Sequence, residues 1–299
     1  MFRKAIQWLA LLGHNACLPG FFSGRIYRGA LKSVCVPGLN CYSCPGAVAS
    51  CPLGALQAVL GASRYSFSFY VTGLLLGFSL FFGRFVCGFL CPFGLIQELL
   101  YKIPLKIPFF SVKTGTAGAG AGHSRLRCAR YVKYALLAVF VIALPLLTKG
   151  AAGEGDAGKG AAGIGGPAFC KYICPAGTLT AGLPLVAANP PLRRALGGLF
   201  VLKCAAALAV VLGCLGAYRF FCKFLCPLGA FYGLFNKFSL YRVRLEKSNC
   251  ARCGACFRAC RMGVDPSRAP DSPECIRCGN CVKACRFSAL RSGFLGEKD

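Results

Sequence analysis

Four apolar stretches run along this chain, separated by cysteine-rich or glycine-rich sequence. Tyr65 to Val86 carries no charge from Ser66 to Gly83. At about 20 residues it suits a helix crossing a hydrocarbon layer of about 30 Å. Tyr131 to Leu147 and Leu196 to Ala217 read the same way. Phe2 to Phe22 is the weakest, because Arg3 and Lys4 open it and His14 and Asn15 interrupt it. No A-x-A site follows, and His14 stands where a lipobox ahead of Cys17 needs leucine, so an uncleaved first helix is expected rather than a secretory signal. Leu53 to Ala62 and Ala176 to Val186 are apolar but too short to span, and predict re-entrant half-helices.

The cysteines between these stretches reveal a repeat. R-F-V-C-G-F-L-C-P-F-G from Arg84 lies on R-F-F-C-K-F-L-C-P-L-G from Arg219, matching Cys87 with Cys222 and Cys91 with Cys226. C-P-L-G-A-L-Q-A from Cys51 likewise lies on C-P-A-G-T-L-T-A from Cys174. The halves differ upstream, where Cys170 stands four before Cys174 while the first half offers Cys44 seven before Cys51 and Cys41 ten before it. In C-x3-C the thiols are one helical turn apart and face the same side. Proline after the second cysteine suits the first turn of a following helix, here Phe93 to Lys102 and Leu228 to Lys237, whose positive end would favour an anionic group.

At the C-terminus two runs of C-x2-C-x2-C-x3-C follow one another, Cys250 to Cys260 and Cys275 to Cys285, a spacing at which thiolates wrap a 4Fe-4S cube. Zinc would want separated pairs of ligands instead. Composition then fixes the surroundings. A chain of 299 residues that is 56% hydrophobic and 15% charged is too apolar for an ordinary soluble domain, and 22 cysteines in such a length do not suit a small secreted disulfide scaffold. The net charge of +26 lies around the apolar spans and cysteine loops, not on one aromatic-interleaved face, so lipid headgroups and an acidic redox partner fit better than nucleic acid. Residues 23 to 64 hold four Lys and Arg and residues 149 to 195 hold five, far fewer than the other connections. The positive-inside rule therefore predicts cytoplasmic N- and C-termini in a multi-pass protein of the cell membrane, with two parallel repeats.

The expected fold is mostly α: a four-span helical membrane bundle of two parallel repeats, plus a C-terminal α+β two-cluster domain. The expected division is residues 1–110 for the first repeat, 111–130 for a cytoplasmic connector, 131–240 for the second repeat and 241–299 for the tail. The parallel repeat brings Cys87, Cys91, Cys222 and Cys226 together at the inner face, and Cys44, Cys51, Cys170 and Cys174 together at the outer face, as two more 4Fe-4S sites. Cys41 is the alternative to Cys44. A competing arrangement builds one cluster within each half.

The tandem C-terminal runs resemble the bacterial two-cluster ferredoxin, in which the last cysteine of each run crosses to the other cube. That resemblance assigns Cys250, Cys253, Cys256 and Cys285 to one cluster and Cys275, Cys278, Cys281 and Cys260 to the other. Together with the C-x3-C-P motifs, nearly the whole chain resembles the membrane polyferredoxin family that includes the NapH and NosR proteins. The resemblance implies electron transfer between a cytoplasmic or quinol donor and an extracytoplasmic acceptor. Any flavin would sit on a separate flavin- or haem-bearing partner outside. The expected function is a membrane-bound electron relay with an acidic cytoplasmic partner of ferredoxin or flavodoxin type and no catalytic residues of its own. The alternatives are the membrane subunit of a quinol dehydrogenase, which would bind quinone, and an iron-sulfur assembly or redox-sensing protein.

Other residues carry plainer expectations. His14 and His123 are too few for paired haem ligation. Glu98 stands where a quinol could dock and lose protons, but Lys102 four residues on predicts a helix-surface ion pair instead. Cys17, Cys204 and Cys214 read as small packing residues, and Cys35 as a spare thiol. Arg84 and Arg219, at equal offsets before the inner motifs, would offset cluster charge or mark the cytoplasmic end of their spans, the second being reason enough for them. Arg252, Arg258, Arg261, Arg277 and Arg286 predict a docking side for the acidic partner.

Overall fold

A computed structural model describes residues 2–61, 69–104, 128–147 and 167–295. Most of the connector 111–130 with His123, the linker 149–166 and the start of the Tyr65 to Val86 stretch lie outside them. The first half contains α1 (Phe2–His14), α2 (Pro19–Ser23), α3 (Pro52–Gly61), α4 (Phe69–Phe82), α5 (Phe85–Phe89) and α6 (Pro92–Leu100). The second contains α7 (Val132–Leu147), α8 (Ala168–Tyr172), α9 (Pro175–Ala188), α10 (Pro190–Arg194), α11 (Gly198–Gly216), α12 (Phe220–Phe224) and α13 (Pro227–Leu234). The tail folds as β1 (Tyr241–Leu245), α14 (Ala255–Ala259), α15 (Asn280–Lys283) and β2 (Leu290–Phe294).

Proline and glycine set many of the boundaries. Pro52, Pro92, Pro175 and Pro227 each open a helix directly after a cysteine, where a missing N–H costs nothing. In α7 and α9 the helix widens to π turns over Leu137–Ala143 and Thr178–Gly182, just ahead of Pro145 and Pro184, where proline removes an i→i−4 bond.

The opening apolar run is not one helix from Phe2 to Phe22. It stops at His14, whose carbonyl accepts the Val48 N–H, and the chain turns so that the Cys17 N–H donates to the Gly46 carbonyl. Among the described residues α11, with 19 residues, is long and apolar enough to cross a membrane, while α3, α4, α7 and α9 are apolar and shorter.

The two halves pack alike. Helix α1 lies against α5 and α6, and α7 lies against α12 and α13, while α6 crosses to α11 in the other half. One continuous core runs from Cys35 and Leu53 through Val86, Phe93, Phe169, Phe221 and Tyr232 to Met262 and Ile276 in the tail. The tail is thus packed into the body rather than tethered to it. Strands β1 and β2 pair antiparallel with Val243 opposite Ser292. This ribbon abuts the end of α4, with Tyr241 edge-on to Phe85 and Phe294 edge-on to Phe82.

Candidate functional site

The thiols expected to bind metal gather in four sets. In the tail, Cys250, Cys253, Cys256 and Cys285 line one small cavity. Their loop alternates left-handed residues, Arg252 at φ 51° and Gly254 at 69°, and the second run repeats this with Arg277 at 52° and Gly279 at 77°. Such backbone turns successive N–H groups inward as a nest for an anion. At Cys285, burial pushes the thiol slightly up, but the backbone N–H groups of Ala289, Phe287, Leu290 and Ser288 outweigh it and hold the thiol below its ordinary value.

The second tail set joins Cys281 to Cys275, Cys278 and Cys260, its electrostatic neighbours. Burial pushes Cys275 up to about 11 and Cys281 up to about 12, so these thiols await a positive partner before they ionise. The Arg277 N–H donates to Cys275 Sγ at 3.4 Å.

In the body both sets draw on both halves. Cys226 has Cys222, Cys87 and Cys91 as electrostatic neighbours, and Cys91 has Cys222 and Cys87. The remaining set surrounds a cavity of about 550 Å³ lined by Cys41, Cys51, Cys170 and Cys174. Cys44 does not line it. Its Sγ lies 3.8 Å from Asn15 Oδ1, and it packs with Ala47 and Ala181, because the turn that starts at Cys41 points the later thiol away. Two glycines line the approach, since a Cβ on Gly177 would stand 3.6 Å from Cys41 Sγ and one on Gly54 3.8 Å from Cys170 Sγ.

Buried cations surround the inner body set. Arg84, Arg219 and Lys133 are 0% exposed and Lys223 1%, and among the described residues Glu98 and Glu274 are the carboxylates that pair with them directly. Arg84 Nη2 donates to the Cys222 carbonyl at 3.0 Å, and Arg219 Nη1 to the Cys87 carbonyl. Arg84 Nε is buried without a hydrogen-bond partner among the described residues. Uncompensated positive charge at such depth is costly unless an anionic group completes the site.

Several expectations are corrected. Glu98 makes no pair with Lys102. It is buried, 2.6 Å from Arg219 Nη2 and 2.6 Å from Arg3 Nη2, accepts from Tyr218 Oη at 2.8 Å and also pairs with Lys4. Arg84 and Arg219 turn inward across the halves, beside the inner thiols. Arg277 is 3% exposed and cannot face a partner; its guanidinium donates to the Phe82 and Asn236 carbonyls and so ties the tail to the body. Cys214 packs in the core as expected, and its Sγ also lies 3.7 Å from Gln97 Oε1. Cys35 stays in the core, its backbone bridging Ser50.

Sequence reading missed Gln57, Gln97, Lys133, Tyr232, Asn236 and Glu274. The glutamines did carry a signal, because each stands six residues after the cysteine of a Cys-Pro step in the first half.

Four thiol sets, two in a ferredoxin-like tail, mark a ferredoxin-type iron-sulfur protein. Comparison supports that class. The profile of the family described as 4Fe-4S binding domain matches residues 65–113, 160–188 and 198–247. The chain is 32% identical over 228 residues to the methylamine utilization ferredoxin-type protein MauN of Methylorubrum extorquens, covering 60% of this chain and 70% of that protein. It belongs to the family of ferredoxin-type 4Fe-4S proteins that includes MauN and NosR. It is 28% identical over 196 residues to an uncharacterized protein of Methanocaldococcus jannaschii, covering 66% of each. To the regulatory protein NosR of Pseudomonas aeruginosa it is 28% identical over 188 residues, 61% of this chain and 21% of that protein. The chain thus spans just under two thirds of the M. jannaschii relative. No solved structure matches.

Proposed function

We propose that this is a membrane-bound electron relay. It would carry electrons between a cytoplasmic donor and a membrane or extracytoplasmic acceptor through four 4Fe-4S clusters. Cys250, Cys253, Cys256 and Cys285 would hold the outermost tail cluster, and Cys260, Cys275, Cys278 and Cys281 the docked one. Cys87, Cys91, Cys222 and Cys226 would hold the inner body cluster, and Cys41, Cys51, Cys170 and Cys174 the far one. Each cluster, when bound, supplies a one-electron redox centre. The donor sets fit: each is four thiols, with buried cations or inward N–H groups beside them. Among the described residues no three Cys, His, Asp or Glu group closely enough for a single ion. The wider convergence suits a cube, whose irons and sulfides lie between its ligands.

The observation that carries the reading is the continuity of protein between sets. Within the tail, Cys260 and Cys285 close the runs that belong to the opposite sets. Between tail and body, the Ile276 carbonyl presses on Gly88, next to Cys87, and Asn236 Nδ2 donates to the Cys275 carbonyl at 2.9 Å while its Oδ1 accepts the Arg84 N–H at 2.9 Å. Between the body sets, residues 38–40 reach both: a Cβ on Gly38 would stand 2.9 Å from Cys91 Cα, and Leu39 and Asn40 line the far cavity with Cys51. Tyr232 is 0% exposed in the same gap, donating from Oη to the Pro37 carbonyl at 2.8 Å. Short bonded and hydrogen-bonded steps serve tunnelling better than open gaps.

The parallel topology with cytoplasmic termini, the domain limits 1–110, 131–240 and 241–299, and the acidic partner at Arg252, Arg258, Arg261 and Arg286 belong to this proposal. The far cavity favours quinol dehydrogenation as the second reading, because Ala58, Leu185 and Lys203 extend its wall beyond the thiols. Oxidation of a short-chain quinol by the purified protein would favour that reading over the plain relay.

Anaerobic purification of the full chain with iron analysis tests the relay. About sixteen irons per chain are expected from four cubes. About eight would leave only the tail loaded and overturn it. Clusters that load but accept no electrons from a low-potential donor would point to assembly or sensing instead.

A further inference from the structure

Two buried glutamines repeat one device at the two body sites. Gln57 on α3 and Gln97 on α6 are each 1% exposed and each follow Cys-Pro at the same offset. Gln57 Nε2 donates to the Leu53 carbonyl at 3.2 Å and lies 3.6 Å from Cys170 Sγ, while its Oε1 accepts the Phe169 N–H at 3.0 Å. Gln97 Nε2 donates to the Phe93 carbonyl at 3.4 Å and to Cys222 Sγ at 3.1 Å, while its Oε1 accepts the Cys222 N–H at 3.4 Å. In both cases the amide hangs from the first half and grips the leading cysteine of the second half's C-x3-C.

The orientation of each amide follows from its partners. A backbone N–H can only donate, so the atom facing it is Oε1, and Nε2 must face the i−4 carbonyl and the sulfur. One amide hydrogen is used on the carbonyl and the other is aimed at the thiol. The second half has no equivalent. Thr180, the counterpart of Gln57, donates to the Ala176 carbonyl at 2.8 Å, and Tyr232, the counterpart of Gln97, donates to the Pro37 carbonyl. Among the described residues, each body site therefore has one side-chain amide donor, directed at one named sulfur.

We infer that Gln57 and Gln97 are positioning residues that set the reduction potentials of the far and inner body clusters, Gln57 through Cys170 and Gln97 through Cys222. A hydrogen bond to a ligating sulfur strengthens as that sulfur gains charge on reduction, so it raises the potential. The inference rests on the reading of both body sets as 4Fe-4S sites.

Gln57→Met and Gln97→Met, near in volume and without a donor, test it in anaerobically purified full-length protein by iron analysis and redox titration followed by electron paramagnetic resonance. Sixteen irons with one body midpoint lowered in each variant, a different one in each, and unmoved tail midpoints are expected. Full iron with all midpoints unchanged would overturn the inference and leave the relay standing. Wild-type protein with only about eight irons would overturn the relay first. If a methionine variant loses iron, Gln57→Glu or Gln97→Glu keeps the acceptor oxygen and replaces the amide donor. A midpoint that falls further as pH rises supports the inference, and an unmoved midpoint rejects it.

Discussion

Arg84 Nη2 donates to the Cys222 carbonyl at 3.0 Å, and its counterpart Arg219 donates to the Cys87 carbonyl, so each half's arginine braces the other half's cysteine motif. Their carboxylates come from different places. Arg219 is met by Glu98 on α6, at 2.6 Å. At the equivalent position α13 carries Gly233, and the tail fills the space with the Pro273 carbonyl and with Glu274, 3.1 Å from Arg84. The tail thereby completes the symmetry of the body.

Glu274→Gln should loosen that joint. Burial alone would raise its pKa, but Arg84 and Lys133 outweigh burial and hold the carboxyl below its usual value. A depressed carboxylate contributes stability that is complete above the unfolded value of about 4.3 and is lost as pH falls through the lower folded value. Leaving Arg84 and Lys133 buried without their partner costs about 3–5 kcal/mol. Hydrogen exchange over residues 241–295 should accelerate in the variant at neutral pH; unchanged protection there would count against the joint.

Gly88→Ala probes the same contact from the other side. A Cβ at this position would stand 2.5 Å from the Ile276 carbonyl, and a backbone atom cannot rotate aside. The tail should be displaced from the body, with spin-spin broadening between its docked cluster and the inner body cluster reduced and all iron retained. Full coupling in the variant would show that the approach is looser than the structure has it.

Cys41→Ser and Cys44→Ser separate the two candidate thiols of the far site. Because Cys41 lines the cavity with Cys51 and Cys174 whereas Cys44 lies beside Asn15, the first variant should lose about four irons, one cube's worth, and the second none. The reverse pattern would restore Cys44 to the site.

Electron entry at the tail should depend on salt. Arg258, Arg261 and Lys283 line an exposed hollow near the outermost thiols, and charges at a protein surface are screened beyond about 10 Å at 0.1 M salt. Arg258→Glu with Lys283→Glu should slow reduction by an acidic ferredoxin-type donor several-fold and flatten its salt dependence, with unchanged reduction by dithionite. A rate indifferent to both salt and charge reversal would move the entry point elsewhere.

The sequence by itself determined the chemistry and the repeat. Thiol spacing, Cys-Pro steps and the long apolar runs are local properties, and local periodicity places C-x3-C on one face and starts a helix at the following proline. The grouping of Cys87 and Cys91 with Cys222 and Cys226 was legible through the repeat, and the crossed grouping of the tail thiols through the resemblance to two-cluster ferredoxins. Tertiary structure decided what depends on distance between segments. It put Cys41, not Cys44, on the far cavity, because the turn between them directs one thiol inward and the other to Asn15. It made Arg84, Arg219 and Arg277 buried braces, Arg277 in place of a surface charge, since a carboxylate or carbonyl far away in the chain met each of them. It gave Gln57 and Gln97 their sulfurs, which lie 113 and 125 residues away in the chain. No window of sequence holds both partners of such a contact, so only the packed fold brings them together.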